Sequence, residues 1–260
     1  MPWRVKVIVV LLVIFTLLAW IFLALGFDVA YMRQWLPFLL EGVPLTLFIC
    51  LASIALAIPL ALFGALGRLS GSSIAYGVSS FYVSFIRGTP LIVQIFFIYN
   101  ALPQLATFAP AWLSGYLILD IVPAGILALG INYGAYMTEI FRAGIQSVGH
   151  GQVEAAHALA MTNTQTMRRI VLPQAVRVII PPTGNEFIAM LKDSALVGLA
   201  GTQELFFRAI QAGRRDFKTL EMLVVAALIY WILTSIFSVF QARLESRMAK
   251  GYVREQPHGH

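Results

Sequence analysis

The chain has 260 residues, 59% of them hydrophobic and only 12% charged, with a formal net charge of +6. Soluble domains carry about a quarter charged residues, so a mean hydropathy of +0.82 marks an integral membrane protein and excludes an ordinary soluble domain. The positive charge is spread over several short polar segments, as topology signals are, and is not gathered into a groove for nucleic acid.

Arg4 and Lys6 precede an apolar run over 7–27. A signal peptide has an apolar core of about 7–15 residues, whereas a span needs roughly 20. The run therefore predicts an uncleaved anchor helix, followed by an extracytoplasmic loop to residue 40. A second span over 43–67 holds Cys50, which as a lone cysteine belongs to no disulfide framework or multi-cysteine metal site. The apolar stretch 74–103 is too long for one straight span. Pro90 disfavours a helical Thr89, so a break is predicted there, with the first half along the membrane surface and the second half crossing. Within that crossing half, Gln94, Tyr99 and Asn100 are candidates for the lining of a pathway.

Asp120 or Ile121 opens the next span, which reaches about Phe141. Near its end Glu139 and Arg142 are three apart, which suits a helix pair, with a ligand role for Glu139 as the alternative. Two further spans are predicted over 176–200 and 223–240, before a polar, basic tail. Six spans place both termini on one side with Arg68, Arg87, Arg243 and Arg247. The positive-inside rule makes that side the cytoplasm. The segment holding Arg208, Arg214, Arg215 and Lys218 falls on the other side, against the bias.

Between the fourth and fifth spans lies "GQVEAAHALAMTNTQTMRRIVLPQA", residues 151–175, the most polar internal stretch. Residues 152–161 are good helix formers without Gly or Pro, and Val153, Ala156, Leu159 and Ala160 share a face. Thr162 and Gln165 have the spacing of a capping box. A second short helix is predicted to run to Val171 and stop before Pro173. Small residues at Ala155, Ala156 and Ala158 permit close approach of another surface, with Glu154, Arg168 and Arg169 as charged handles. A plain solvated linker is the alternative, but structureless loops of this length are uncommon. The stretch reads as a docking element.

Glu154-Ala155-Ala156, followed by Ile170, Leu172 and Pro173, resembles the EAA motif of ABC importer permeases. The blocks "RGTPLIVQIFFIYNALP", "GAYMTEIFRAGIQSV", "GQVEAA", "LPQA" and "GNEFIAMLKDSALV" resemble, in order, the polar amino-acid branch, covering roughly 41–245. The motif has glycine where this chain has Ala160; if that position turns left-handed, alanine costs roughly 1 kcal/mol or more.

The resemblance implies an all-α integral membrane protein of about six transmembrane helices with the type I ABC importer permease fold. It implies an anchor segment 1–40, a permease core 41–245 with a coupling segment 147–175, and a cytoplasmic tail 246–260. Coupling would fall to Gly151, Gln152, Glu154, Ala155, Ala156, Leu159, Ala160, Leu172 and Pro173. The implied partners are a cytoplasmic ABC ATPase dimer holding ATP and magnesium, a second permease copy or paralogue, an extracytoplasmic amino-acid-binding protein and membrane lipid. The implied site is the bacterial inner membrane. The phosphate-loop pattern GxxxxGK[ST] is absent from the sequence. The motor is therefore expected in another polypeptide, and this chain is expected to be no enzyme and to hold no cofactor. An ATP-independent channel is the competing class, and it leaves the docking stretch without a purpose. A membrane hydrolase lacks an intramembrane histidine or a metal cluster in the sequence.

The fifth span carries Asn185, Glu186, Lys192, Asp193 and Ser194 in an otherwise apolar run. A charge at mid-membrane costs about 2.5–3.5 kcal/mol, so three unpaired would cost on the order of 8–10 kcal/mol. They must pair or line a wet cavity. One reading is a site for an amino-acid head, its ammonium on Glu186 or Asp193 and its carboxylate on Lys192 or a backbone donor. The other is that Lys192 and Asp193 sit at the outer interface, where lysine snorkels. Pro181, Pro182 and Gly184 are predicted to distort the start of this helix.

Overall fold

Every regular element in the computed structural model, which describes residues 2–248, is a helix. The remainder of the predicted tail, with Lys250, Arg254, His258 and His260, lies outside the described residues. Helix α1 (Trp3–Ala24) is apolar on all sides and none of its span is buried, the pattern of a helix surrounded by lipid. The predicted loop after it holds a second helix, α2 (Val29–Leu40), capped by Asp28, whose carboxylate accepts the Tyr31 N–H (3.0 Å). This helix was not expected.

The core is built on α3 (Val43–Arg68) and α7 (Ile121–Gln146), which bury Ile49, Ala57 and Ala61 against Ala128, Leu129, Tyr133 and Met137. Lipid is as apolar as leucine, so such helices associate by close packing. Gly64 shows how close: an added Cβ would lie 2.3 Å from Thr138 Oγ1.

Helices α4 (Ser73–Arg87) and α5 (Leu91–Ala106) meet at 107° across the break predicted at Thr89–Pro90. Gln94 fastens the corner, its Nε2 lying 2.8 Å from Ile86 O and 2.8 Å from Thr89 Oγ1. A short α6 (Ala111–Leu117) follows. The polar stretch folds as α8 (His150–Ala158) and α9 (Asn163–Thr166), and then a π-helical turn (Met167–Val171) runs directly into α10 (Leu172–Asp193). Pro173 does not end a helix, contrary to expectation; it sits in the first turn of α10, where a missing N–H costs nothing. The preceding π turn shifts the backbone that a proline would otherwise strike.

The next span also differs from its predicted 176–200. Helix α10 starts at Leu172, continues through Pro181 and Pro182, and breaks at Ser194 before α11 (Ala195–Leu199). Gln241 donates to Pro181 O (2.5 Å), giving that carbonyl a partner. The last described elements are α12 (Leu205–Arg215) and α13 (Thr219–Met248), against which α2 buries Tyr31, Met32 and Leu39.

Four helices among the described residues, α1, α3, α7 and α13, are long and apolar enough to cross a membrane, and the bent α4–α5 pair makes a fifth. Helix α10 has 22 residues, about 33 Å at 1.5 Å per residue, but falls short in hydropathy. It completes the expected six only where its polar face meets protein or water.

Candidate functional site: a charged cavity and a coupling helix

Three walls enclose a cavity of about 580 Å³. The α4–α5 corner supplies Arg87, Gly88, Thr89, Pro90 and Leu91, α7 supplies Asn132, Tyr133 and Tyr136, and α10 supplies Glu186, Ala189 and Asp193. Glu186 and Asp193 line it together because they are seven residues apart, two turns of one helical face. Tyr133 OH donates to Asp193 Oδ2 (2.8 Å). The Arg87 guanidinium stands 4.9 Å from the Tyr136 ring centre, a cation–π arrangement that holds it at the cavity. Asn132 Nδ2 donates to Gln94 Oε1 (3.0 Å). By formal count the lining carries one positive and two negative side chains.

The structure separates the remaining sequence candidates. Lys192 turns away from Glu186 and Asp193 into a different groove with Phe206, Leu223, Tyr230 and Trp231. Ser194 is buried and donates to Leu191 O (2.8 Å), while Asn185 is exposed outside the cavity. Gln94 is buried one layer behind the lining and orients Asn132. Tyr99 is outside the lining, and exposed Asn100 bonds back to Phe96 O (2.7 Å). Glu139 pairs with Arg142 (2.8 Å), as its spacing suggested, and with Arg68 of α3 (3.2 Å).

Sequence reading counted Arg87 among the basic residues of the cytoplasmic side and missed Asn132, Tyr133 and Tyr136. Asn132, a lone amide midway along a span, carried the usual signal of an intramembrane polar group. The tyrosines carried none.

The polar segment around α8 has its own geometry. Ala156 is buried while Glu154 and Ala155 are exposed, and Leu159 is 78% exposed. The end of α8 is a Schellman turn: Met161 N–H bonds Ala156 O (3.1 Å) and Ala160 N–H bonds His157 O (2.9 Å). Ala160 has φ 57°, the left-handed conformation usually given to glycine. Thr162 and Gln165 then form the predicted capping box, with bonds of 3.3 and 2.9 Å. Gln174 Nε2 donates to Gln152 Oε1 (2.6 Å), tying α8 to the first turn of α10. Gly151 lies exposed in the first turn of α8, and Leu172 and Pro173 lie exposed at the start of α10. On the opposite loops Lys218 pairs with Asp28. Its ammonium holds the Asp28 carboxyl below the usual range, and Asp28 in turn raises the lysine.

Residues 55–250 match the family described as binding-protein-dependent transport system inner membrane component. The chain belongs to this family. The permease is 37% identical over 225 residues to the probable amino-acid permease protein YxeN of Bacillus subtilis, covering 86% of this chain and 97% of that one. It is 41% identical to the arginine transport system permease protein ArgU of Corynebacterium glutamicum, over 80% and 67% of the two chains. With the glutamine transport system permease protein GlnP of Escherichia coli it shares 34%, over 85% and 98%. A solved amino acid ABC transporter described as "with histidines" superposes at TM-score 0.76 with 37% identity, covering 85% of this chain and 98% of that one. The inward-facing MetNI methionine transporter superposes at 0.65 with 20% identity, over 83% and 97%, and shares the fold. The permease is thus a translocating subunit of an ABC importer, an inner-membrane component with the type I fold.

Proposed function

We propose that the permease carries a polar amino acid through the cavity bounded by Arg87, Glu186 and Asp193. The observation that supports this most is the charge arrangement. A guanidinium on one wall suits the solute carboxylate, and two carboxylates on α10 suit its ammonium. This amends the role first considered for Lys192, which lies in another groove. A zwitterion balances Arg87 and one acid and leaves the second acid unmatched. A solute with a cationic side chain matches all three, so a basic amino acid is the preferred cargo.

The segment around α8 couples this cavity to a motor. Residues 147–171 join α7 to α10, the two helices that furnish the cavity tyrosines and acids. Displacement of α8 therefore acts on two of the three walls at once. Glu154, Ala155 and Leu159 form the outer surface of α8 and meet a separate ATPase that holds ATP and magnesium; this chain holds neither. Two permeases, two ATPases and an extracytoplasmic binding protein complete the importer, with both permease termini in the cytoplasm by charge bias.

Solute-stimulated ATP hydrolysis by the reconstituted complex tests the cargo assignment, with arginine and glutamine as probes. E186Q shifts preference from arginine toward glutamine by about tenfold or more, as expected for loss of one charge-assisted contact, and R87A weakens both solutes. Unaltered selectivity in E186Q together with unaltered affinity in R87A contradicts the assignment.

A further inference from the structure

Glu204 is the one acidic side chain among the described residues with no exposed surface. It caps α12, and its Oε1 accepts the Phe207 N–H (2.8 Å). On Oε2 it receives the Tyr230 hydroxyl of α13 (2.8 Å) and meets Thr46 Oγ1 of α3 at 3.2 Å. Thr46 Oγ1 also accepts the Leu205 N–H (3.2 Å), so the same corner is fastened twice. Among the described residues no Lys or Arg pairs with the carboxyl, and burial pushes it up from its ordinary value. Hydrogen bonds, rather than a cationic partner, hold it at this position.

The location of this clamp gives it a function. Helix α11 begins two residues after Asp193 and presents Gly198 to Glu204, so closely that an added Cβ would lie 2.1 Å from Oε1. Helix α11 is also pressed on α7, where Val197 occupies the space opposite Gly125. The end of α10 that carries Asp193 into the solute cavity is thus continuous with a corner held by Glu204 against α3 and α13.

We infer that Glu204 is a positioning residue for the solute cavity: its buried carboxyl fixes the α11–α12 corner and thereby sets the place of Asp193. The inference rests on the cavity being the solute site. It goes beyond that reading by assigning solute affinity to a side chain outside the lining.

The test is solute-stimulated ATP hydrolysis by the reconstituted importer, with solute KM and kcat measured separately. E204A raises KM about tenfold with kcat changed less than twofold, and E204Q, which keeps the shape and most hydrogen bonds, restores KM to within about threefold of the parent. Y230F removes one contact and raises KM by a smaller factor in the same direction. An E204A complex with parental KM overturns the inference, as does a loss confined to kcat. Where E204A fails to assemble, an unchanged KM in Y230F overturns it equally. R87A separates the two readings. If R87A weakens solute and the Glu204 and Tyr230 variants do not, positioning fails alone. If R87A has no effect, the cavity reading fails.

Discussion

Ala160 shows how much one backbone position can reveal. The family motif has glycine where this chain has alanine, and the structure places that alanine at φ 57° in the turn that ends α8. A left-handed L-residue costs roughly 1 kcal/mol or more, so A160G is expected to raise stability by about 1 kcal/mol. Thermal unfolding of the purified permease measures it, and an unchanged or lower midpoint contradicts the strain. Such local features were legible because they depend on spacing: Thr162 and Gln165 form their capping box, and Glu139 and Arg142 form their pair. Long-range contacts were not. Tyr133 and Asp193 are 60 residues apart, and no local rule says which tyrosine of α7 faces α10. Lys192 and Asp193 looked alike in sequence, yet adjacent positions on a helix point about 100° apart, and that angle puts them in different hollows.

Among the elements, the α4–α5 corner was read from Pro90 alone, because proline constrains the residue before it whatever the fold. The limits of α10 were misread because proline was taken as a stop. At the start of a helix it is an ordinary residue, and only the position of the preceding π turn decides which case applies. Helices α2 and α12 were missed since each is amphipathic and lies outside the long apolar runs, one in a predicted loop and one in a basic segment. At the opposite end, Glu139 of α7 joins Arg68 of α3 and Arg142 at one point. Its Oε1 is near Arg68 without hydrogen-bond alignment. The side chains are partly exposed, 22–30%, so the cluster falls between weak surface pairs and costly buried ones. E139Q is expected to destabilise the α3–α7 end by about 1–2 kcal/mol, seen as a lower unfolding midpoint. A value equal to the parent would reduce the cluster to a surface feature.

On the scale of the molecule, membrane location followed from composition, and fold class and importer family from five short blocks that lie in order along the chain. What composition and motifs could not convey is the connectivity of force. Helix α8 lies in the covalent link between the two helices that supply the cavity tyrosines and acids, and Gln152 and Gln174 bind it to the base of α10. The α4–α5 corner, held by Gln94, stands as the third wall. On the proposed coupling role, an engine acting on α8 would reshape the cavity without touching it. Allosteric coupling needs two sites and an element that both bias, and α8 with its flanking helices has that form. The most direct measurement is solute-stimulated ATP hydrolysis in the reconstituted importer carrying E154K. The account predicts normal membrane insertion and normal solute binding, with stimulation of hydrolysis lost. Full stimulation in that variant would contradict the coupling role of α8.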